Sequence, residues 1–431
     1  MSKLPLEGIR VIDMTVIWVG PYATQLLGDW GAEIIRVESL NNSMARSAGG
    51  PVRPNPEVVR TASAGFGYPD REVGDRPWNR SAFINAHTRN KLSMTVDLTR
   101  PDGKEAFHRL VEKSDMLIEN NVPETMEKLG VTWEELSKIN PRLIMVKMPA
   151  FGLDGPWKNY RTFGSHMEAI AGHLLLRSYP GGDPGEISDV FPADAGGAGA
   201  GYAALVGLFH RKKTGEGQLI EFATAENFVP YIGEYVMDYT MNQRVHQNLG
   251  NTDRTMVPHN VYPCEGEDRW IAIACRSDAE WDALRGVMGN PEWSSDEKFS
   301  DALSRYKNRD EIDEHIAAWS RDKIDRTIME QLQAVGVPSG FVANEKDSYE
   351  DPHLNDRGFF EPVDHPEVGN YLHPGIQWKM ANTPNNIRSH PPMLGQHNEY
   401  VYKEILGYSD AEYKHFEDSG HAGMDYDSSL P

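Results

Sequence analysis

Within its first 40 residues the chain alternates two kinds of segment whose order leaves few folds open. "IRVIDM" (9–14) is an apolar run of strand length. "PYATQLLGDWG" (21–31) follows as a helix, with Pro21 suited to its first turn and Gly31 as its stop. "AEIIRVE" (32–38) is a second strand. A strand, a helix and a strand in that order require a crossover and hence a parallel pair. The alternation continues through "LSMTVDL", "RPDGKEAFHRLVEKSD", "MLIEN", "WEELSKIN" and "RLIMVKMPAF". These residues predict an α/β fold with a doubly wound, Rossmann-like parallel sheet in a large domain.

Residues 41–81, rich in Gly, Pro, Asn, Ser and Arg, read as a long loop. Beyond 190, "FPADAGGAGAGYAALVGLFHRKKTGEGQ" reads as a small-residue helix with a basic end and a turn, and "QLIEF" as another strand. The character changes at "HNVYPCEGEDRWIAIACRS", which reads as a two-stranded hairpin followed by charged helices. We therefore expect a large domain over 1–225, a smaller α+β domain over 226–335, and a C-terminal segment, 336–431, that returns to complete the large domain.

A chain of 431 residues can bury a substantial core. Its net charge of −21 argues against nucleic acid and anionic membrane as partners. The apolar runs are too short to cross a bilayer, and "MSKLPLEGIRVIDM" lacks the apolar core of an export signal. Two cysteines, Cys264 and Cys275, make no disulfide framework and match no zinc spacing, so a reducing, cytoplasmic setting is expected. No phosphate-binding glycine motif, serine nucleophile elbow or metal-binding histidine pair is present, and no metal is expected.

Several positions have both a plain and a functional reading. Gly20-Pro21 opens a helix after a strand, where anions can bind. Arg89 and Lys91, at the entrance to a strand, could hold phosphates or be solvated charges. Asn120 and Asn121, with Lys128 nearby, follow a strand at the edge where open α/β sheets take ligands. His166 and Glu168 invite acid–base roles, although a histidine beside a helix start is more often structural. Asp194, set among small residues, is either a helix N-cap or a nucleophile that a large substrate can approach. In the second case the amides of Gly196 and Gly197 could stabilise an oxyanion.

In this order the segments resemble the class III CoA-transferases over nearly the whole chain. The resemblance is carried by "LEGIRVIDMTVIWVGPYATQLLGDWGAEIIRVE", "NKLSMTVDLTRPDGKEAF", "DMLIENNVPETMEKLG", "INPRLIMVKMPAFGLDGP", "DAGGAGAGYAALVGLFHRKKTGEGQLIEF" and "LGQHNEYVYKEILG". It implies that Asp194 is the catalytic carboxylate. The aspartate attacks an acyl-CoA donor to give a mixed anhydride, CoA thiolate returns to form an aspartyl-CoA thioester, and an acceptor carboxylate takes the CoA. No permanently bound cofactor is implied; CoA and acyl-CoA are substrates. The positions matching the family's CoA contacts are Val16, Val96, Asn120, Asn121, Lys128, Leu129 and Arg161. Trp18 stands where formyl-CoA transferases carry Gln, so formate and oxalate are not expected as substrates. The resemblance further implies an interlocked homodimer. The alternatives are an α-methylacyl-CoA racemase, whose proton-transfer histidine is Phe163 here, and a non-catalytic CoA-binding subunit of a heteromer.

Overall fold

The structure, a computed structural model, describes residues 3–47, 49–61, 67–182 and 191–431, with side chains in the last stretch from Ala195 onward. Six strands form one parallel sheet: β1 (Arg10–Met14), β2 (Glu33–Glu38), β3 (Lys91–Thr95), β4 (Met116–Glu119), β5 (Ile144–Lys147) and β6 (Gln218–Glu221). Their order is β3-β2-β1-β4-β5-β6, the doubly wound arrangement in which the direction of winding reverses between β1 and β4.

Side-chain alternation explains why both faces are covered. Val11, Ile34, Met116, Ile118, Ile144 and Val146 point into one core layer. Their neighbours Ile12, Ile35, Leu117 and Met145 point into the other. The first layer is closed by α1 (Val19–Asp29), through Ala23 and Leu27, and by a long helix over Phe191–Thr214, through Ala200 and Ala204. The second is closed by α2 (Pro101–Glu112), through Ala106, Phe107 and Leu110, and by the C-terminal Val401, Tyr402 and Phe416. Two further helices lead from β4 to β5: α3 (Pro123–Leu129) and α4 (Trp133–Ile139). The Phe191–Thr214 helix is α5.

The segment expected as a loop, 41–81, contains short helical turns at Met44–Ser47, Pro56–Thr61 and Pro77–Arg80, and another follows it at Ala82–Asn85. Arg46 organises part of it. Its buried guanidinium pairs with Glu38 at 2.7 and 2.9 Å and bonds to Asn79 Oδ1 and the Pro392 carbonyl. A propensity reading sees Gly and Pro there and cannot see this long-range anchor.

The chain divides into two compact units, one of Met1–His173, Ser188–Gln243 and Asp356–Pro431, the other of Leu174–Ile187 and Arg244–Asn355. The changeovers at 243/244 and 355/356 lie beyond the boundaries expected at 225/226 and 335/336. The second unit has an antiparallel sheet of β7 (His259–Pro263), β8 (Trp270–Ala274) and β9 (Ser339–Phe341), so the hairpin seen in the sequence gains a third strand. Its core includes both cysteines as free, buried thiols. In the first unit, β10 (Phe360–His365) and β11 (Gly369–Pro374) form a separate antiparallel pair.

Candidate active site

At the carboxyl edge of the parallel sheet, where the winding reverses, lies a cavity of about 620 Å³. The residues that end β1 to β4 supply its walls: Met14 to Ile17, Val37 to Ser39, Val96 to Thr99, and Asn120 to Val122. Met126 and Leu129 of α3 add an apolar side, while Lys158, Tyr160, Arg161, Phe163 and His166 complete the lining. Lys158 and Arg161 place two cations at this cavity in a chain whose net charge is −21. Sequence reasoning found Arg161 but missed Lys158. The available signal was two cations interleaved with Trp157 and Tyr160, whose rings stack 6.1 Å apart.

The turn from β1 to α1 forms one wall. Asn120 pairs with the backbone of Val16 in both directions: its Oδ1 accepts the Val16 N–H and its Nδ2 donates to the Val16 carbonyl, each at 2.7 Å. Asn121 donates to the Met14 carbonyl at 2.9 Å. The turn needs glycine at position 20, because a Cβ there would lie 2.4 Å from the Thr15 Cβ and 3.0 Å from the Asn120 Cγ.

Of the expected CoA-contacting positions, Val16, Val96, Asn120, Asn121, Leu129 and Arg161 line this one cavity. Lys128 does not; it projects from α3 and pairs with Glu124 one turn earlier at 2.7 Å. Trp18 packs outside the lining, against Phe83 at 5.0 Å and edge-on to His87 at 6.1 Å.

The phosphate role expected of Arg89 and Lys91 needs correction. Both are buried with internal partners. Arg89 forms a two-pronged pair with Asp29 at 3.1 and 2.8 Å. Lys91 is 1% exposed and pairs with Asp13 at 3.0 Å. Burial and pairing with an internal carboxylate, with further bonds to the Pro374 and Gly375 carbonyls for Arg89 and to the Pro21 carbonyl and Thr24 for Lys91, turn both cations inward.

His166 and Glu168 do not form an acid–base pair. His166 accepts the Phe163 N–H at Nδ1, whereas Glu168 is buried against His173 Nδ1 at 2.7 Å.

Asp194 is the fourth residue of α5, so it lies inside the helix rather than at its N-cap; its side chain is outside the described residues. The next residues fix where this end of α5 sits. Ala195 packs with Met167, Ala225 and Phe228. Met167 shares the Gly164–Ile170 helix with the cavity-lining His166. Gly196 and Gly197 face α1: a Cβ on Gly196 would lie 2.9 Å from Val19 Cγ2, and one on Gly197 would lie 2.7 Å from the Val19 carbonyl oxygen. These glycines serve helix packing. As the sixth and seventh residues of α5 they also lie past the four amides that a helix leaves free, so the oxyanion role expected of them does not fit this geometry. Among the described residues, no group of three His, Cys, Asp or Glu side chains is arranged to hold a metal ion, and no helix is long and apolar enough to cross a membrane.

This fold is a Rossmann-like doubly wound sheet with a ligand-sized cavity at its switch point. Comparison with known proteins is more specific. Residues 6–398 match the profile of CoA-transferase family III. The chain is 32% identical to the succinyl-CoA–L-malate CoA-transferase beta subunit of Chloroflexus aurantiacus, over 95% of this chain and 96% of that one. It is 30% identical to the succinyl-CoA–D-citramalate CoA-transferase of the same organism, over 94% of each. The crystal structure of a CAIB/BAIF family protein from Brucella suis superposes with a TM-score of 0.81 at 25% identity, covering 94% of this chain and all of that one. The chain belongs to the class III CoA-transferases, enzymes that move CoA between a thioester and a carboxylate.

Proposed function

We propose that Asp194 is the nucleophile of this transferase and that the cavity at the β1–β4 switch point holds the CoA portion of the donor. The observation that carries this reading is the anchoring of the first turns of α5. Ala195 sits on the helix that bears His166, and Gly197 sits on the start of α1, directly after the cavity wall. In the proposed cycle the Asp194 carboxylate attacks the thioester carbonyl, and CoA leaves as thiolate. The thiolate attacks the aspartyl carbonyl of the mixed anhydride, freeing the donor acid as its carboxylate. The acceptor carboxylate then attacks the aspartyl thioester, expelling CoA thiolate and forming a second mixed anhydride, and the thiolate attacks the acceptor carbonyl of that anhydride, giving the new acyl-CoA and freeing the Asp194 carboxylate. Each step exchanges one acyl bond for another, so thioester energy is kept and no nucleotide is spent.

Lys158 and Arg161 would meet the phosphates, and Val16, Val96 and Leu129 would surround the nucleoside; the support is that all five line the same cavity. The named relatives act with succinyl-CoA and on hydroxy-dicarboxylic acids, which makes succinyl-CoA and small dicarboxylates the first pairs to try. The first unit would carry CoA and Asp194, as the large domain expected from the sequence. A cytoplasmic homodimer is the proposed form. An exposed apolar stripe on α5, Tyr202, Leu205, Val206 and Phe209, supports association of chains. The alternative of a heteromer subunit is favoured by the separate alpha and beta subunits of the malate enzyme.

The test incubates the purified chain with succinyl-CoA and a panel of carboxylic acids, with mass spectrometry of CoA products and of the protein. Asp194→Ala is expected to abolish exchange and the covalent adduct at residue 194 while CoA binding persists. Exchange surviving in that variant would remove Asp194 from the chemistry. Exchange that appears only after a paralogous chain is added would select the heteromer.

A further inference from the structure

We propose that Lys91 is a positioning residue: with Asp13 and Thr24 it clamps the turn Thr15–Gly20 into the shape that receives a CoA thioester, without touching that ligand. The inference rests on the reading of the cavity given above.

The ammonium of Lys91 has three protons and three acceptors, Asp13 Oδ2 at 3.0 Å, the Pro21 carbonyl at 2.8 Å and Thr24 Oγ1 at 2.8 Å. Thr24 passes the connection on, donating to Asp13 Oδ2 at 2.8 Å. The other Asp13 oxygen accepts the Thr15 N–H at 2.9 Å. Arg36 lies 3.5 Å from the same carboxylate. Lys91, Asp13 and Thr24 thus tie the end of β1 to the first turns of α1. None of the three lines the cavity, and each is 1% exposed or less.

The segment held between these ties is strained. Ile17 and Trp18 are consecutive residues at positive φ, 45° and 48°, and neither is glycine. Such a conformation is a clear outlier for a β-branched residue, and it persists only where surrounding structure over-determines it. Thr15, Val16 and Ile17 of this segment line the cavity. The Asn120–Val16 bonds hold the segment from the cavity side, and Lys91 holds it from behind. A buried ion pair is weak evidence for stability, and its best-attested use is to specify one geometry among several. Here the specified geometry is a ligand-facing turn that would otherwise relax.

The readouts are calorimetric affinity for free CoA, hydrogen exchange at the Val16 amide, and thermal stability. Thr24→Val keeps the volume and removes the hydroxyl between Lys91 and Asp13. The double variant Asp13→Asn/Lys91→Met removes both charges together. Asn140→Ala is the control, because it loses comparable bonds to the Val111 and Ser114 carbonyls away from the cavity. Both clamp variants are expected to bind CoA roughly tenfold more weakly and to exchange faster at Val16, whereas the control stays within about twofold of wild type. Wild-type affinity in Thr24→Val or in the double variant overturns the proposal. So does a loss of affinity in the control that matches its loss of stability. Wild-type protein that binds no CoA overturns the cavity's assignment instead, and exchange at Val16 still decides whether the clamp holds the turn.

Discussion

Gly197 shows how a missing side chain can place a helix. A methyl group there would meet the Val19 carbonyl oxygen at 2.7 Å and Tyr22 Cδ1 at 2.8 Å, and the carbonyl cannot rotate away. Gly197→Ala is expected to cost about 1–3 kcal/mol in urea unfolding through overpacking. Because the displaced partner begins directly after the cavity wall, activity should fall with stability. Glu119 is a different case, a carboxylate buried at the end of β4. One of its oxygens accepts the Asn121 N–H at 2.7 Å, the other has no hydrogen-bond partner, and Lys147 is 3.8 Å away. Burial raises its pKa to about 7, against the opposing pull of Lys147 and the Asn121 bonds. The native state therefore keeps a proton that the unfolded chain releases near pH 4.5. This contribution is full below pH 4.5 and lost as pH rises through 7. Glu119→Gln should gain stability relative to wild type between pH 5 and 8, by up to about 3 kcal/mol. A difference that does not vary with pH would mean that the carboxylate is ionised throughout.

At the level of elements, β3 is one edge of the sheet, and the C-terminal segment covers it with side chains. Every second amide is met: Ser93 N–H by His397 Nδ1 at 3.2 Å, Thr95 N–H by Asn398 Oδ1 at 2.7 Å, and Asp97 N–H by His421 Nδ1 at 3.1 Å. The His397 amide donates back to the Ser93 carbonyl at 2.9 Å. A ring nitrogen that accepts an N–H must be unprotonated. Burial, with His390 nearby, lowers the His397 pKa to about 4, and burial lowers that of His421 although Asp102 opposes it. Unfolded histidines take up protons near pH 6.5, so this clasp contributes fully above that pH and weakens as pH falls toward 4. Exchange protection at Ser93 should fall over that window, and protection at Asp97 should likewise fall at a pH below the ordinary histidine range. In His397→Gln, whose amide oxygen can accept the same N–H at any of these pH values, Ser93 should stay protected. The same segment caps the far end of α1, where Arg388 donates to the Asp29 carbonyl at 2.8 Å and to the Gly28 carbonyl, placing a cation at a helix C-terminus.

At the scale of the whole molecule, the α5 stripe is an exposed apolar face on a helix of the main sheet layer. Tyr202, Leu205, Val206 and Phe209 follow helical spacing and are 42–71% exposed. If the proposed dimer forms through this stripe, Leu205→Glu with Phe209→Glu is expected to convert it to monomer in light scattering while leaving the circular dichroism spectrum unchanged; a dimeric mass retained in the variant would remove the stripe from the interface, and a monomeric wild type would remove the dimer. The strands, the helices between them and the family resemblance were readable because their causes are local: period-two burial, glycine and proline punctuation, and the order of segments. Local sequence by itself determined six parallel strands, a small-residue helix around Asp194, and the sheet edge at Asn120 and Asn121 that lines the cavity. Only the tertiary structure decided which cations were free. Arg89 and Lys91 look like phosphate ligands in isolation, but the topology brings Asp29 and Asp13, 60 and 78 residues away, into buried contact with them. Lys158, beside the cavity-lining Tyr160 and Arg161, is left at the cavity. The physical reason is that a charge's role is set by its nearest partner in a desolvated interior, and that partner is chosen by chain topology rather than by neighbours in the sequence.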